Sequence, residues 1–552
     1  MGAFQDTIFF IIFLGVLVTV HEGGHFFAAK WAGVKVLKFS IGFGPKLFGF
    51  RRGETEYQIA ALPLGGFVAM AGQHPDEAER EEDRGRTFLG APWWKRMIIL
   101  AAGPAANLVF PIFAYWVAFI GDHQVISSRV AAVEAGFPAA VAGIRPGDVV
   151  TRIDGKDIKA FEEIRSALEG VFDREVPVTV RRGEQELTLR LTPRKTEESG
   201  PIEKVQRGLL GIAYVPRPAI VGVPEGSAAY AAGLRSFDRV LSVNGKVVRD
   251  ELQLAQALDE GQGALELVVI RSVVGDVGGA GFVMPELHTF TVQKGAGEGL
   301  GAIGAELADL YVWTVFPGSP AEKLGLKKGD RLVAVNGTAL TSWFTWQLHL
   351  RAAEARPFSL TWRTADGAER TAEASQGTRE ELDELKNRSE VLEFGVRPRA
   401  AFQGSELLAA GPEIDRLTVH MGPGEAFVTA VKTVPEGIRA IALILGKLFT
   451  RDIPLESVGG PIMLFQVASK SAEAGYEVFL KNMALVSVNL GLVNLLPIPI
   501  LDGFGLLAAL WEGIRRRPIP ARAREYANMV GFAMLALLVV LVFKNDITKL
   551  LR

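Results

Sequence analysis

The sequence predicts a polytopic α-helical membrane core of about four transmembrane helices that carries three small α+β modules. Three observations predict it. Four long segments are apolar, two clusters of positive charge order them consistently across a bilayer, and a unit of about ninety residues recurs three times between the second and third segments. The chain has 552 residues, of which 49% are hydrophobic and 22% charged, too many charges for a chain embedded throughout. Lys plus Arg is 60 and Asp plus Glu is 62, a net charge of −2 that gives no reason to expect a nucleic-acid partner. There is no cysteine, which rules out disulfide scaffolds, Cys-ligated metal and cysteine nucleophiles.

The first apolar segment is residues 7–29, TIFFIIFLGVLVTVHEGGHFFAA. The stub before it, MGAFQD, has no positive charge, and no convincing cleavage site follows, so it reads as a retained helix and not a signal peptide. The second is residues 97–120, long enough to span. The third, residues 483–511, is broken by Pro497, Pro499 and Gly503, and the fourth is residues 527–543. Lys35, Lys38, Lys46, Arg51, Arg52, Lys95 and Arg96 lie between the first two; Arg515, Arg516, Arg517, Arg522 and Arg524 lie between the last two. Positive loops stay cytoplasmic, and four spans put both loops on that side. The termini and residues 121–480 then face the other side. Residues 424–450 are apolar with Lys432, Glu436, Arg439 and Lys447 interspersed, which reads as an interfacial amphipathic helix.

The repeat begins with Ala142-Gly143-Ile144, Gly147-Asp148-Val149-Val150 and Ile153-Asp154-Gly155-Lys156. It returns as Ala232-Gly233-Leu234, Asp238-Arg239-Val240-Leu241 and Val243-Asn244-Gly245-Lys246, then as Leu324-Gly325-Leu326, Gly329-Asp330-Arg331-Leu332 and Val335-Asn336-Gly337. The steps are 90 and 92 residues, too long for a solenoid and right for small globular domains. In each copy the Gly after a short helix supplies a C-cap, and the Asp/Asn-Gly pair makes a tight turn between strands. The pattern is similar to that of PDZ domains in their bacterial form. The glycine-rich strands Leu209-Leu210-Gly211-Ile212 and Leu300-Gly301-Ala302-Ile303 sit where such domains bind a carboxylate. PDZ domains capture peptides by adding a strand to a sheet edge; the plainer reading makes one or more copies mere spacers.

The sharpest signal is His21-Glu22-Gly23-Gly24-His25, an HExxH motif. Residues i and i+4 of a helix share a face, so both imidazoles can reach one metal ion, and Glu22 beside them can act as a base on the attacking water. Two surface or capping histidines are the plainer reading. The motif directly continues an apolar span, however, where three ionisable residues need a shared purpose. A catalytic zinc takes three protein ligands and keeps one position open. The third ligand cannot be Cys, and Asp502, inside the third apolar segment, is the best candidate. Its alternative role is to N-cap the helix Gly503–Trp511.

With these residues the chain resembles the site-2 proteases, intramembrane zinc metalloproteases, in the RseP-type form of Gram-negative bacteria with tandem PDZ domains. The resemblance runs through HEGGH, Phe39-Ser40-Ile41-Gly42-Phe43-Gly44-Pro45, Gly103-Pro104-Ala105-Ala106-Asn107, Ser457-Val458-Gly459-Gly460-Pro461 and Ser487-Val488-Asn489-Leu490-Gly491. It ends in Asn494…Pro497…Pro499…Leu501-Asp502-Gly503. It implies Zn2+ held by His21, His25 and Asp502, with Glu22 as general base. It implies that Gly53–Gly72, including Gly65 and Gly66, is a membrane-associated β-loop that holds the substrate strand. Asn489, Asn494, Pro497 and Pro499 are the further positions it places near substrate.

The implied substrates are single-pass membrane proteins, cut in or near the transmembrane segment after a first extracytoplasmic cut. Anti-sigma-factor-like proteins and signal-peptide remnants are the expected classes. Peptide C-termini at the PDZ domains and the lipid bilayer are the other expected partners. The expected location is the bacterial inner membrane, with the active site near the cytoplasmic side and the PDZ domains periplasmic. The expected segments are a first membrane half at 1–120, PDZ domains at 121–200, 201–295 and 296–400, a linker with the interfacial helix at 401–475, and a second membrane half at 476–552. Two departures stand out. The family has Asp-Gly-Gly-His where this chain has Asp502-Gly503-Phe504-Gly505, and it has two PDZ domains where this chain has three. A membrane-tethered PDZ scaffold with a degenerate site is the competing reading; a metal transporter would not need three peptide-binding domains.

Overall fold

A computed structural model describes residues 2–73, 83, 85–199, 204–277, 280–382, 388–399, 413–451, 453, 455, 458–517 and 519–551. Within it the chain forms two compact units. One takes in the N-terminal residues to His123 and those from Val419 onward; the other takes in Gln124–Glu381 and Arg388–Thr418. Ser457 and the first part of the expected linker, residues 401–412, lie outside the described residues.

The first unit opens with α1 (Ala3–Ala32), which carries the HExxH residues on its last three turns. Its interior has no proline, and it stops where Gly33 takes φ 82°, a left-handed cap that costs a glycine little. Next come β1 (Val36–Arg52) and β2 (Thr55–Met70), an antiparallel hairpin turned at Gly53. The register is doubled: Ser40 pairs with Gln58 on one side and with Phe67 on the other, so the hairpin folds back on itself. Residues 66–70 are thereby left as an outer edge beside α1. Helix α2 (Trp93–Phe119) follows, with Pro104 and Pro111 inside it.

The second unit holds three modules of one plan. After β3 (Gly121–Ile126), the first module runs β4 (Ala132–Val133), α3 (Pro138–Val141), β5 (Val149–Ile153), β6 (Lys156–Asp157), α4 (Phe161–Ala167), β7 (Val176–Arg182) and β8 (Gln185–Leu191). It closes with β9 (Arg194–Ser199), β10 (Lys204–Leu209) and β11 (Ile212–Ala213). The second runs β12 (Val221–Gly222), α5 (Ala228–Ala231), β13 (Arg239–Val243), β14 (Lys246–Val247), α6 (Glu251–Glu260), β15 (Ala264–Val277), β16 (Ala280–Gln293) and β17 (Glu306–Leu307). The third runs β18 (Thr314–Val315), α7 (Pro320–Lys323), β19 (Arg331–Val335), β20 (Thr338–Ala339), α8 (Trp343–Ala353), β21 (Phe358–Arg363) and β22 (Glu369–Ala374). It closes with β23 (Gly377–Leu382), β24 (Arg388–Glu393) and β25 (Val396–Arg397); β26 (Arg416–Met421) comes after it.

Each module has a four-stranded antiparallel sheet, in the orders β6-β5-β7-β8, β14-β13-β15-β16 and β20-β19-β21-β22. In each, the last short strand returns to pair with the first: β11 with β4, β17 with β12, β25 with β18. The turn residues Asp154, Asn244 and Asn336 all take φ 49°, each followed by a glycine at φ 76° to 80°, the both-positive geometry of a two-residue hairpin. Each module buries its own core, for example Leu254, Leu258, Leu265 and Leu267 in the second. Side chains of this size contribute about 2 kcal/mol each when fully buried. One expectation fails locally. Leu300–Ile303 is not a strand but part of a 3₁₀ helix, Gly299–Ile303, because Gly299 and Gly304 both take positive φ and the Asp259 carboxylate accepts the Gly299 N–H.

The chain then adds α9 (Pro423–Thr450), α10 (Pro461–Glu473), α11 (Tyr476–Asn494), α12 (Asp502–Arg515) and α13 (Ala521–Leu551) to the first unit. Among the described residues, four helices are long and apolar enough to cross a membrane: Phe4–Ala32, Trp93–Phe119, Tyr476–Asn494 and Glu525–Leu551. The third apolar segment is thus two helices. Pro497 and Pro499 cannot donate backbone bonds, so residues 495–501 run irregularly, with Ile500 at φ 87°. Helix α9 is not among the four; it packs on α2 through Ala430 and Val434 against Ala114 and Tyr115. Helix α10 is an element the sequence reading did not expect.

Candidate metal centre

His21 and His25 sit one turn apart on α1, both buried, with their Nε2 atoms 3.2 Å apart. The Nδ1 of His25 lies 2.7 Å from the Ile99 carbonyl of α2, which can only accept, so this nitrogen carries the proton and Nε2 keeps its lone pair. Asp502 opens α12, whose N-cap is Leu501. Its side chain does not cap the helix; Oδ2 lies 3.2 Å from His21 Nε2 and 3.4 Å from His25 Nε2. Asp502 is held there because Gly503 packs directly on the carbonyls of Leu495 and Leu496 at the end of α11, where any side chain would collide.

These three atoms form a donor set for a cation. Two ring lone pairs and a carboxylate oxygen at such range repel unless a positive charge lies among them. Ligands about 2.0–2.1 Å from a tetrahedral ion lie about 3.3 Å from each other, which is the spacing found. Among the described residues this is the one group of three or more His, Cys, Asp or Glu side chains close enough to hold a metal ion. The Asn107 amide supports the same reading. It is fully buried, lies 3.1 Å from His21 Nδ1 through its nitrogen, and leaves its own Oδ1 without a partner. Rotating the amide puts that oxygen on Nδ1–H, and His21 then offers Nε2 inward as His25 does.

Two glycines make the close approach of α1 and α2 possible. A Cβ on Gly24 would strike the Ala102 carbonyl, and a Cβ on Gly103 would strike the His25 ring itself. Helix α11 locks onto the same region: Ser487 donates to the Asn107 carbonyl at 2.8 Å, and Gly491 lies against the Pro104 carbonyl. Glu22 faces the hairpin edge. It takes a hydrogen bond from the Val68 backbone N–H and feels the charges of His21, His25 and Asp502. Gly66 is the residue that makes room, since a Cβ there would meet Ser40, Val18 and the Glu22 side chain. Gly65 takes φ 158° beside the Phe43 ring.

The other candidates are not gathered at this centre. Asn489 is exposed on α11 and Asn494 ends that helix; among the described residues neither side chain bonds to the triad. Pro497 is exposed, and Pro499 packs against Gly531 of α13. The sequence reading gave no role to Ile99, Gly103, Asn107 or Ser487. Asn107 was findable by the rule that singled out Asp502: it is a lone amide in an otherwise apolar span. The carbonyl and the glycine carry no such mark.

Comparison with known proteins gives the family of the chain. The profile of Peptidase family M50 matches residues 9–538. The chain is 28% identical to "Regulator of sigma-E protease RseP" of Escherichia coli over 99% of both chains. It is 30% identical to "Protease RseP" of Yersinia pestis and 28% identical to a "Putative zinc metalloprotease" of Vibrio cholerae, each over 98% of both chains. A match that covers both halves of the centre and nearly all of the chain settles its kinship: it belongs to Peptidase family M50.

Proposed function

We propose that this chain is an intramembrane zinc metalloprotease that cuts single-pass membrane proteins in or near their transmembrane segments, as in regulated proteolysis of an anti-sigma factor. The observation that carries the reading is the tetrahedral spacing of His21, His25 and Asp502 between helices long and apolar enough to span. These three residues would hold the metal, and a zinc ion bound there would supply Lewis acidity for the scissile carbonyl and for ionisation of water near neutral pH. Glu22 takes the proton of the attacking water and passes it to the leaving amine.

A substrate helix hides its carbonyls in its own hydrogen bonds, so it must unwind before attack. Residues 66–70 of β2 pair on one side only, with β1, and run past Glu22. An unwound stretch adds there as a further strand, which brings its peptide bond to the base. Gly65 and Gly66 keep that edge clear, and Asn489, Asn494, Pro497 and Pro499 flank the substrate from the irregular segment. The loops 33–92 and 516–520 face the cytoplasm of a bacterial inner membrane, by their charge. The three modules are PDZ domains on the periplasmic side; they bind peptide C-termini and restrict entry to substrates shortened by an earlier cut. Helix α9 lies in the interface.

The test uses the purified full-length protein with a model transmembrane peptide, with and without a zinc chelator. Glu22→Gln is expected to slow cleavage by a factor of about 10²–10⁴ while zinc stays bound. Cleavage by Glu22→Gln at the native rate, or in the presence of chelator, would overturn the zinc and Glu22 mechanism; no cleavage by the unaltered protein would return the molecule to the scaffold reading, which the intact donor set otherwise disfavours.

A further inference from the structure

Away from the metal centre, α10 and the outer ends of α1 and α13 enclose a cavity of about 280 Å³. Its polar lining is Asp6 of α1, Gln466, Ser469, Lys470 and Glu473 of α10, and Asp546 and Lys549 of α13. Asp546 is fully engaged: it accepts the backbone N–H groups of Gly460 at 2.9 Å, Ile462 at 2.9 Å and Met463 at 3.3 Å, and so pins the start of α10 to α13. Three other polar atoms in the same lining are buried with no hydrogen-bond partner: Asp6 Oδ1, Ser469 Oγ and Lys549 Nζ. Ser469 as a whole is only 9% exposed. Among the described residues no ion pair joins Asp6 to Lys549.

A carboxylate oxygen and an ammonium buried in one cavity without partners are costly, and the protein's own side chains do not relieve either. A single ligand bearing both signs relieves both. The position says where it comes from. Asp6 lies in the first turn of the span Phe4–Ala32, and Lys549 in the last turn of the span Glu525–Leu551, so the cavity sits at the level of one row of lipid headgroups. Met463 and Phe465 give the cavity an apolar side suited to the start of an acyl chain.

We infer that this cavity is a binding site for a zwitterionic phospholipid with a primary ammonium headgroup. Lys549 and Lys470 take the phosphate, Asp6 takes the ammonium, and the Ser469 hydroxyl bridges them. The bound lipid joins three helices at one membrane face and holds α10 against the core. The inference rests on the four helices being membrane spans and is independent of the metal centre.

The experiment is native mass spectrometry of the detergent-solubilised full-length protein, titrated with dioleoyl phosphatidylethanolamine and, separately, with dioleoyl phosphatidylcholine. One retained phosphatidylethanolamine per chain is expected. Phosphatidylcholine is expected to bind at least about tenfold more weakly, because its quaternary ammonium has no N–H to donate to Asp6. Lys549→Gln and Asp6→Asn are each expected to weaken phosphatidylethanolamine by a similar factor, and Ser469→Val to weaken it less. Equal retention of the two lipids overturns the proposal, because the site then does not read the ammonium; retention of neither overturns it as well and leaves a cavity that holds no lipid. Binding of inorganic phosphate or soluble phosphoethanolamine as tight as that of the lipid overturns it in favour of a free-anion site. The two-lipid comparison uses the unaltered protein, so it stands whether or not a variant folds.

Discussion

At the residue scale, the centre depends as much on what is missing as on what is present. His25 touches α2 at the one position where α2 has no side chain to offer, Gly103. A neighbouring glycine of the motif, Gly23, faces open space. The two therefore make a matched pair. Gly103→Ala pushes a methyl group into the His25 ring and is expected to weaken zinc binding by about 10–100-fold, the range seen when groups that orient a ligand are lost. Gly23→Ala is expected to leave zinc affinity unchanged and to firm the helix slightly. Competition with a chromogenic zinc chelator measures both. Equal losses in the two variants would mean that the helix, not the histidine contact, governs the site. His21, Glu22 and His25 were legible from spacing alone, since one helical turn separates the two rings. Asp502 was legible only as a carboxylate with no reason to be in an apolar segment. The glycine at 103 was not legible, because a sequence does not say which helix will lie against it.

At the element scale, the hairpin and the modules show how one sequence signal supports different structures. Residues 66–70 run beside Glu22, and Gly66 keeps the two apart. Gly66→Ala is expected to displace the Glu22 carboxylate and lower kcat by about 10²-fold with zinc content unchanged, the usual penalty for a misplaced catalytic group. Metal analysis alongside turnover separates this from loss of the site. The three modules repeat their turns faithfully but not their buried charges. Asp148 is paired with Arg182 at 2.7 Å, and the fully buried Asp238 with Arg271 at 2.7 Å. In the third module Thr364 replaces that arginine, and among the described residues Asp330 accepts from the backbone N–H groups of Lys327 and Ala365, with the charges of Arg370 and Lys327 farther off. Burial tends to raise the Asp148 carboxyl, but Arg182 and the Arg145 N–H hold it below its ordinary 3.8. Burial raises Asp330 above the same value. A carboxyl held low in the folded state adds stability above its ordinary pKa and loses it as the pH falls; one held high does the reverse. Hydrogen exchange as the pH falls from 6 to below 3.8 is expected to show core amides of the first module losing protection relative to those of the third. Parallel trends in the two modules would refute the assignment. The repeat was legible through its glycines. The missing arginine is visible only once strand register aligns position 364 with 182 and 271.

At the scale of the whole molecule, residues from the first and last tenth of the chain converge on α2, while the middle folds into a second unit. The order of segments was legible, because apolar length and positive loops are properties of each segment alone. How the modules meet was not. Arg217, Glu134, Glu251 and Asp309 read in sequence as ordinary surface charges. In the structure Arg217 of the second module reaches Glu134 of the first at 3.5 Å, Glu251 of its own α6 at 3.4 Å and Asp309, ahead of the third, at 3.9 Å. Three carboxylates thus share one guanidinium at the junction of all three modules, with Asp250 close by. Burial raises both Glu251 and Asp309 above their ordinary 4.5 and 3.8, with Arg217 opposing and the neighbouring acids adding. Both groups therefore contribute stability below those values and lose it as the pH rises through their raised ones. Raising the pH from 4 to 8 is expected to loosen the junction, read as lower protection, relative to the intrinsic exchange rate at each pH, of Trp343 N–H, which Asp309 accepts at 2.8 Å. Arg217→Gln removes the cation these acids share. Its loss of protection is expected to be larger and to extend to higher pH, because nothing then offsets the repulsion among the carboxylates. An Arg217→Gln profile that overlays the unaltered protein would show that the modules are held by apolar contact alone, and that the charges at their junction are passengers.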